Sequence, residues 1–196
     1  MSNFNTAESK NKFRRILKEF LGALVAMTIL TGAIYLFGGF CKQRKSDIRC
    51  NAEKVVSWNR QNFFWESDRR FGGADLQSTD FAHSHQHSVK LDKDNKYGLS
   101  YDIPNADGDE DLWISVWRYN PDQLKQKGKL VCSVGDYTIS SDGVKERQDS
   151  GWEKLSIRAY VPIGSKNKTI KIYCAHEGEE PTYFNDLYID FRRIDK

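Results

Sequence analysis

Two hydrophobic patterns divide the chain. Between Leu21 and Phe40 (LGALVAMTILTGAIYLFGGF) twenty residues pass without a charge. At about 1.5 Å rise per residue, a helix of that length covers the roughly 30 Å core of a bilayer. From about residue 55 the pattern changes to alternating apolar and polar positions, broken by clusters of Gly, Pro, Asn and Asp, as in strands joined by turns. It predicts strands at Phe63–Glu66, Ser88–Leu91, Tyr97–Asp102, Leu112–Tyr119, Leu130–Val134, Lys154–Tyr160, Thr169–His176 and Tyr183–Arg192, with turns at 104–108, 120–122, 141–143 and 162–164. Beyond one turn at Pro121–Gln126, no helical stripe follows residue 55. Short strands without intervening helices predict a mainly β fold, a jelly-roll β-sandwich of about eight antiparallel strands, preceded by a single transmembrane α-helix.

The plan that follows is a tail at 1–18, a transmembrane helix at 19–41, a charged juxtamembrane linker at 42–54 and a sandwich domain at 55–196. A cleaved signal has a shorter apolar core of about 7–15 residues and a small residue before the cut; here Phe40 stands before Cys41, so the span reads as retained. The net charge of +3 resolves into parts. Residues 1–20 and residues 41–54 each carry five basic against two acidic groups, which leaves the rest of the chain at −3. Without a basic surface to displace phosphate counterions, the domain is not a nucleic-acid binder. The flanks of the span tie in Lys and Arg; because the tail is short and a large domain follows, the tail is assigned to the cytoplasm and the domain to the periplasm or exterior. The bilayer is then one partner, and Gly22, Ala26, Gly32, Gly38 and Gly39 offer small contacts for helix packing.

Parity along the strands sorts side chains. Leu112, Ile114 and Val116 point one way, and Trp113, Ser115, Trp117 and Tyr119 the other. Ile170, Ile172 and Cys174 form a core face opposite Lys171 and Tyr173, and Leu130, Cys132 and Val134 face inward. A jelly-roll order that sets the fourth and seventh predicted strands side by side would gather Trp113, Trp117, Tyr119, Lys171 and Tyr173 on one outward face. Flat, apolar, electron-rich rings with polar neighbours are what sugar rings stack on; the alternative is that loops or a partner protein cover them.

Several runs occur in a familiar order: Phe81-Ala-His-Ser-His-Gln-His-Ser-Val-Lys-Leu, Tyr97-Gly-Leu-Ser, Leu112-Trp-Ile-Ser-Val-Trp-Arg-Tyr, Leu130-Val-Cys-Ser-Val, Gly151-Trp-Glu-Lys-Leu, Ile170-Lys-Ile-Tyr and Tyr183-Phe-Asn-Asp-Leu-Tyr-Ile. Over residues 63–193 this order resembles the galactose-binding-like jelly roll of carbohydrate-binding modules of bacterial envelope and secreted proteins. The resemblance implies a structural Ca²⁺, held through a Ser-Gly-x-x-Ser loop, a paired Asp on the last strand and an early acidic residue, all hard oxygen donors. Onto this chain it carries Glu66, Ser84, Asn185 and Asp186. Two departures stand out: His85 occupies the glycine position, losing the easy positive-φ turn, and Asn185 replaces one Asp.

His83, His85 and His87 alternate, the spacing of a transition-metal site on a strand, although the resemblance puts them in a turning loop. Cys41 and Cys50 lie near the membrane edge, where they could pair with each other or between molecules. Cys132 and Cys174 read as buried thiols, flanking the fourth predicted strand from either side and too far apart to bridge. The cluster Asp107–Asp111 lies in a turn and reads as a solvated loop. No nucleophile elbow, phosphate loop or metalloprotease pair is present in the sequence. The expected function is non-catalytic recognition of an envelope glycan or protein by a single-pass membrane protein. The alternative is an accessory structural subunit packing on a larger membrane complex.

Overall fold

The computed structural model describes residues 47–122 and 128–192. The tail, the expected span at 19–41, Cys41 and the helical turn expected after Pro121 lie wholly or largely outside them. Among the described residues no helix is long and apolar enough to cross a membrane.

Fourteen strands occur among the described residues: β1 Ile48–Cys50, β2 Val55–Trp58, β3 Gln61–Glu66, β4 Arg69–Phe71, β5 Gln77–Ser78, β6 Ser88–Leu91, β7 Tyr97–Ile103, β8 Glu110–Tyr119, β9 Gly128–Val134, β10 Tyr137–Ser141, β11 Val144–Arg147, β12 Trp152–Val161, β13 Ile170–His176 and β14 Thr182–Arg192. The larger sheet runs β11-β12-β8-β14-β6-β5, with β1 also paired to β14; the facing sheet runs β10-β9-β13-β7; a third, small sheet is β2-β3-β4. Successive strands change sheets from β8 to β9 and from β12 through β13 to β14, giving a jelly-roll-like antiparallel sandwich.

Alternation explains the packing. Leu112, Ile114 and Val116 of β8, Leu155, Ile157 and Ala159 of β12, and Phe184, Leu187 and Ile189 of β14 meet Leu130, Cys132, Val134, Ile170, Ile172 and Cys174 of the facing sheet in one buried cluster. Each fully buried Val, Leu, Ile or Phe among them contributes about 1.5–3 kcal/mol. One ion pair is enclosed too: Arg118 of β8 donates to Glu153 of β12 at 2.6 Å and to the Gly128 carbonyl at the start of β9 at 2.6 Å.

Three expectations change. Residues 48–54 are not linker: β1 pairs with β14 (Arg49 opposite Tyr188), and Ile48, Cys50 and Ala52 are buried. The short apolar stretch Ile48-x-Cys50-x-Ala52 already has the inward parity that its charged surroundings hide. Second, β8 and β13 are not neighbours; they lie in opposite sheets, because β8 sits between β12 and β14 while β13 sits between β9 and β7. Third, Cys132 and Cys174 do not flank β8; they lie on adjacent strands, with Cys132 opposite Ile172 and Cys174 opposite Leu130. They and Cys50 are free, buried thiols. Burial pushes the Cys132 thiol up to about 12 and the Cys174 thiol well above its ordinary value, so both are packing residues.

The small sheet is made by two tight hairpins. Asn59 and Arg60 (φ 50° and 62°), then Ser67 and Asp68 (φ 50° and 58°), take the left-handed pair of conformations whose twist matches paired strands.

Candidate functional site

The outer face of the larger sheet is built from side chains standing abreast. Arg49, Tyr188, Ser115 and Ser156 form one row across β1, β14, β8 and β12. To one side lie Asn185, Trp117 and Lys154; to the other, Asp190, Trp113 and Arg158. The two serines are the smallest groups on the face, and a cleft opens over Ser115. It has a volume of about 510 Å³ and is lined by Arg49, Cys50, Asn51, Glu66, Ser84, His85, Ser115, Trp117, Lys154, Asp186, Leu187 and Tyr188.

A β-bulge in β14 aims the acidic wall of this cleft. Trp117 pairs with Asn185 and Ser115 with Tyr188, so Asp186 and Leu187 together oppose a single residue, and Asp186 takes φ 52°. The extra residue lets Phe184, Leu187 and Ile189 all point inward while Asp186 and Tyr188 point out. The Asp186 carboxylate accepts from Ser84 Oγ and pairs with His83 Nδ1, both at 2.6 Å. On the opposite wall, the Tyr188 hydroxyl donates to Asp47 at 2.9 Å, and the Arg49 guanidinium stands 4.9 Å from the Tyr188 ring.

The expected aromatic platform is divided and largely covered. Trp117 is only 8% exposed: the His83 ring stacks on it at 4.1 Å and 16°. Tyr119 is stacked under Phe81 at 4.2 Å and 20°. Both covering residues come from the nine-residue loop 79–87. With Trp152 and Tyr183 the covered rings form a second, smaller apolar cluster. Trp113, 38% exposed, stays outside the loop, with Arg192 4.4 Å and Arg158 5.5 Å from its ring centroid. Lys171 and Tyr173 lie on the outer face of the other sheet, where Tyr173 meets Tyr97 edge-on at 5.9 Å. The five residues therefore do not form one surface.

Glu66, Ser84 and Asp186 do converge on the cleft, with Asn185 beneath the loop. The oxygens a hard cation would take there are already bonded. Both Asp186 oxygens have protein partners, Glu66 accepts from the Asn51 N–H at 2.8 Å and the Cys50 thiol at 3.6 Å, and the Asn185 amide donates to the Ser84 and His87 carbonyls. This set does not fit Ca²⁺. Burial first, and then the Glu66 carboxylate, push the Cys50 thiol well above its ordinary value; it is a buried donor.

The three histidines separate. His83 goes to Asp186, His87 pairs with Glu53 at 2.7 Å, and His85 lines the cleft with φ 59°, adopting the conformation a glycine would take. No group of three His, Cys, Asp or Glu suited to a metal occurs among the described residues. Asp111 is buried against Arg158, which donates to both of its oxygens at 2.8–3.1 Å, and Asp109 accepts from Tyr160. The acidic cluster is thus partly structural.

Parity reasoning on β8 reaches Ser115, but misses Lys154, Ser156, Tyr188, Arg49 and Glu53. Tyr188 is hidden by the bulge, whose only trace is the odd spacing of Phe184, Leu187 and Ile189.

No family model matches the chain, and no curated protein does. Among solved structures it is similar to the CBM22-1 xylan-binding domain from Paenibacillus barcinonensis Xyn10C, at 12% identity and TM-score 0.46, over 74% of this chain and 94% of that one. It is also similar to the CBM22-1–GH10 modules of Clostridium thermocellum endo-1,4-β-D-xylanase 10B, at 14% identity and TM-score 0.44, over 62% of this chain. The match spans about a quarter (24%) of that structure. A Stig cyclase, Fisc from Fischerella sp. TAU, matches at 8% identity and TM-score 0.45, over 76% of this chain and 86% of that one.

Proposed function

We propose that the chain is a non-catalytic, single-pass membrane protein whose sandwich binds a glycan in the cleft over Ser115. The observation that supports this reading is the lining of that cleft. Aromatic edges from Trp117 and Tyr188 converge there with Arg49, Asn51, Glu66, Ser84, Ser115, Lys154 and Asp186. Such a mixture of apolar surface and many oriented donors and acceptors suits a polyhydroxylated ligand. The carboxylates are held by protein donors, which fits acceptance of hydroxyl hydrogen bonds better than proton transfer. The uncharged run at 21–40 supports anchoring.

Titration of the full chain with xylo-, cello-, galacto- and chito-oligosaccharides tests the binding. At least one series should bind, and Ser115→Trp, which fills the cleft from a partly exposed position, should weaken it tenfold or more while the far-ultraviolet spectrum is kept. Binding unaltered by Ser115→Trp, or none in any series, overturns the reading.

One observation favours a second reading, an accessory subunit. Trp58 is 60% exposed at the tip of the β2–β3 hairpin, with Arg70 5.5 Å from its ring and 4.0 Å from that of Phe63. Exposed Trp with Arg is the composition of interaction hot spots. In mild detergent such a subunit migrates with a partner, and Trp58→Ala releases it; migration alone removes this reading.

A further inference from the structure

The corner where loop 79–87 meets the β14 bulge is closed around Asn185. This side chain is fully buried. Its Nδ2 donates to the Ser84 carbonyl at 3.3 Å and the His87 carbonyl at 2.7 Å, and its Oδ1 accepts the Asp186 N–H at 2.7 Å. The neighbours fix the amide's orientation, since reversing it would set an oxygen against two carbonyl oxygens and a nitrogen against an N–H. Two main-chain carbonyls converging on one buried point need a positive partner there, either a cation or N–H hydrogens.

We infer that in this chain the Asn185 amide occupies the place of a structural cation, so that the sandwich folds independently of calcium. The surrounding carboxylates agree. Asp186 is held by His83 and Ser84. Glu53 accepts from the Gln86 N–H at 3.0 Å, the His87 N–H at 2.8 Å and pairs with His87 Nδ1 at 2.7 Å. These bonds pin both ends of the 83–87 turn, the work a bound ion would otherwise do, and an entering ion would have to break them. A carboxylate at position 185 would instead face two carbonyl oxygens, an arrangement that needs a cation between them or a proton on the carboxyl.

The test is thermal unfolding of the full chain in EDTA and in millimolar CaCl₂, for the wild type and Asn185→Asp. Wild-type curves should coincide. Asn185→Asp should unfold several degrees lower in EDTA and recover part of the loss in calcium. A wild-type rise of more than about 2 °C with calcium, the size of shift a specific ligand readily produces in a domain of this length, overturns the inference. So does an Asn185→Asp protein as stable in EDTA as the wild type. If Asn185→Asp does not fold, the wild-type pair of curves still decides the question, and it does so whether or not any glycan binds.

Discussion

Trp113 and Trp117 sit four residues apart on β8, on the same side of the same sheet, yet one is 38% exposed and the other 8%. The strand does not distinguish them; what lies above does. Over Trp117 the chain folds back as loop 79–87 and lays down His83, and Phe81 does the same over Tyr119. Over Trp113, among the described residues, stand the guanidinium groups of Arg158 and Arg192, arriving from the two adjacent strands. Alternation decides which side of a sheet a residue takes, and long-range loop packing decides whether that side is surface. The two ends of one face should therefore respond differently to the same change. Trp117→Ala removes a ring from a closed aromatic cluster and should cost about 3–5 kcal/mol, read from urea unfolding. A cost no larger than that of Trp113→Ala would erase the distinction.

The loop itself can be loosened. His83→Ala takes away the ring stacked on Trp117 and leaves the Asp186 carboxylate with Ser84 as its remaining side-chain donor. The expected loss is about 1–3 kcal/mol, with Trp117 fluorescence becoming accessible to iodide. Unchanged quenching would mean that the loop holds its place without His83.

Acid probes the same anchor. Burial works to raise the Glu53 carboxyl, but the bonds from His87 and from the His87 and Gln86 N–H groups outweigh it and hold the group below its ordinary value of 4.5. A carboxyl depressed in the folded state stabilises above its unfolded pKa, and that contribution disappears as pH falls through the folded one. Glu53→Gln should thus be less stable than the wild type near neutrality, and the two should converge as the pH falls below the ordinary 4.5 and through the lowered folded-state value. His176 works in a higher window. Burial lowers its pKa from the ordinary 6.5, so the unfolded chain takes up this proton first and stability declines as pH drops below 6.5. His176→Asn should flatten that decline and leave the Glu53 step in place.

Much of the scaffold can be read from the sequence because its signal is local. All eight expected strands coincide with observed ones to within a few residues, since alternation in runs such as Leu112–Val116 has one low-energy arrangement on a two-layer fold. The missed strands are short or lack that signal: β2 and β4 close on turns of Asn59-Arg60 and Ser67-Asp68 that contain no glycine, and β5 has two residues. The site was harder to read. Its acidic wall depends on a bulge that shifts parity by one at Asp186, its first strand lies in a segment dominated by charge, and strand order, which separates Tyr173 from Trp113, is a property of the whole chain. Ser84, Glu66 and Asp186 were reached through resemblance, and the structure gives them hydrogen-bond partners within the chain.

Trp113→Ala gives the smallest stability effect and the sharpest use of the comparison. Removing this ring leaves Arg158 on Asp111 and Arg192 on Asp190, so no buried charge is orphaned, and the loss should stay below about 1 kcal/mol. Its effect on ligand depends on length. Trp113 does not line the cleft and stands two residues, about 7 Å at 3.3 Å per residue, along β8 from Ser115, so a short saccharide confined to the cleft does not rest on it. A longer chain extending along the strand would arrive at it and meet an exposed aromatic edge flanked by two arginines. Trp113→Ala should therefore leave disaccharide affinity unchanged and weaken hexasaccharide affinity severalfold, as measured by calorimetry. An equal effect on both lengths would place the ligand across the strands instead of along β8.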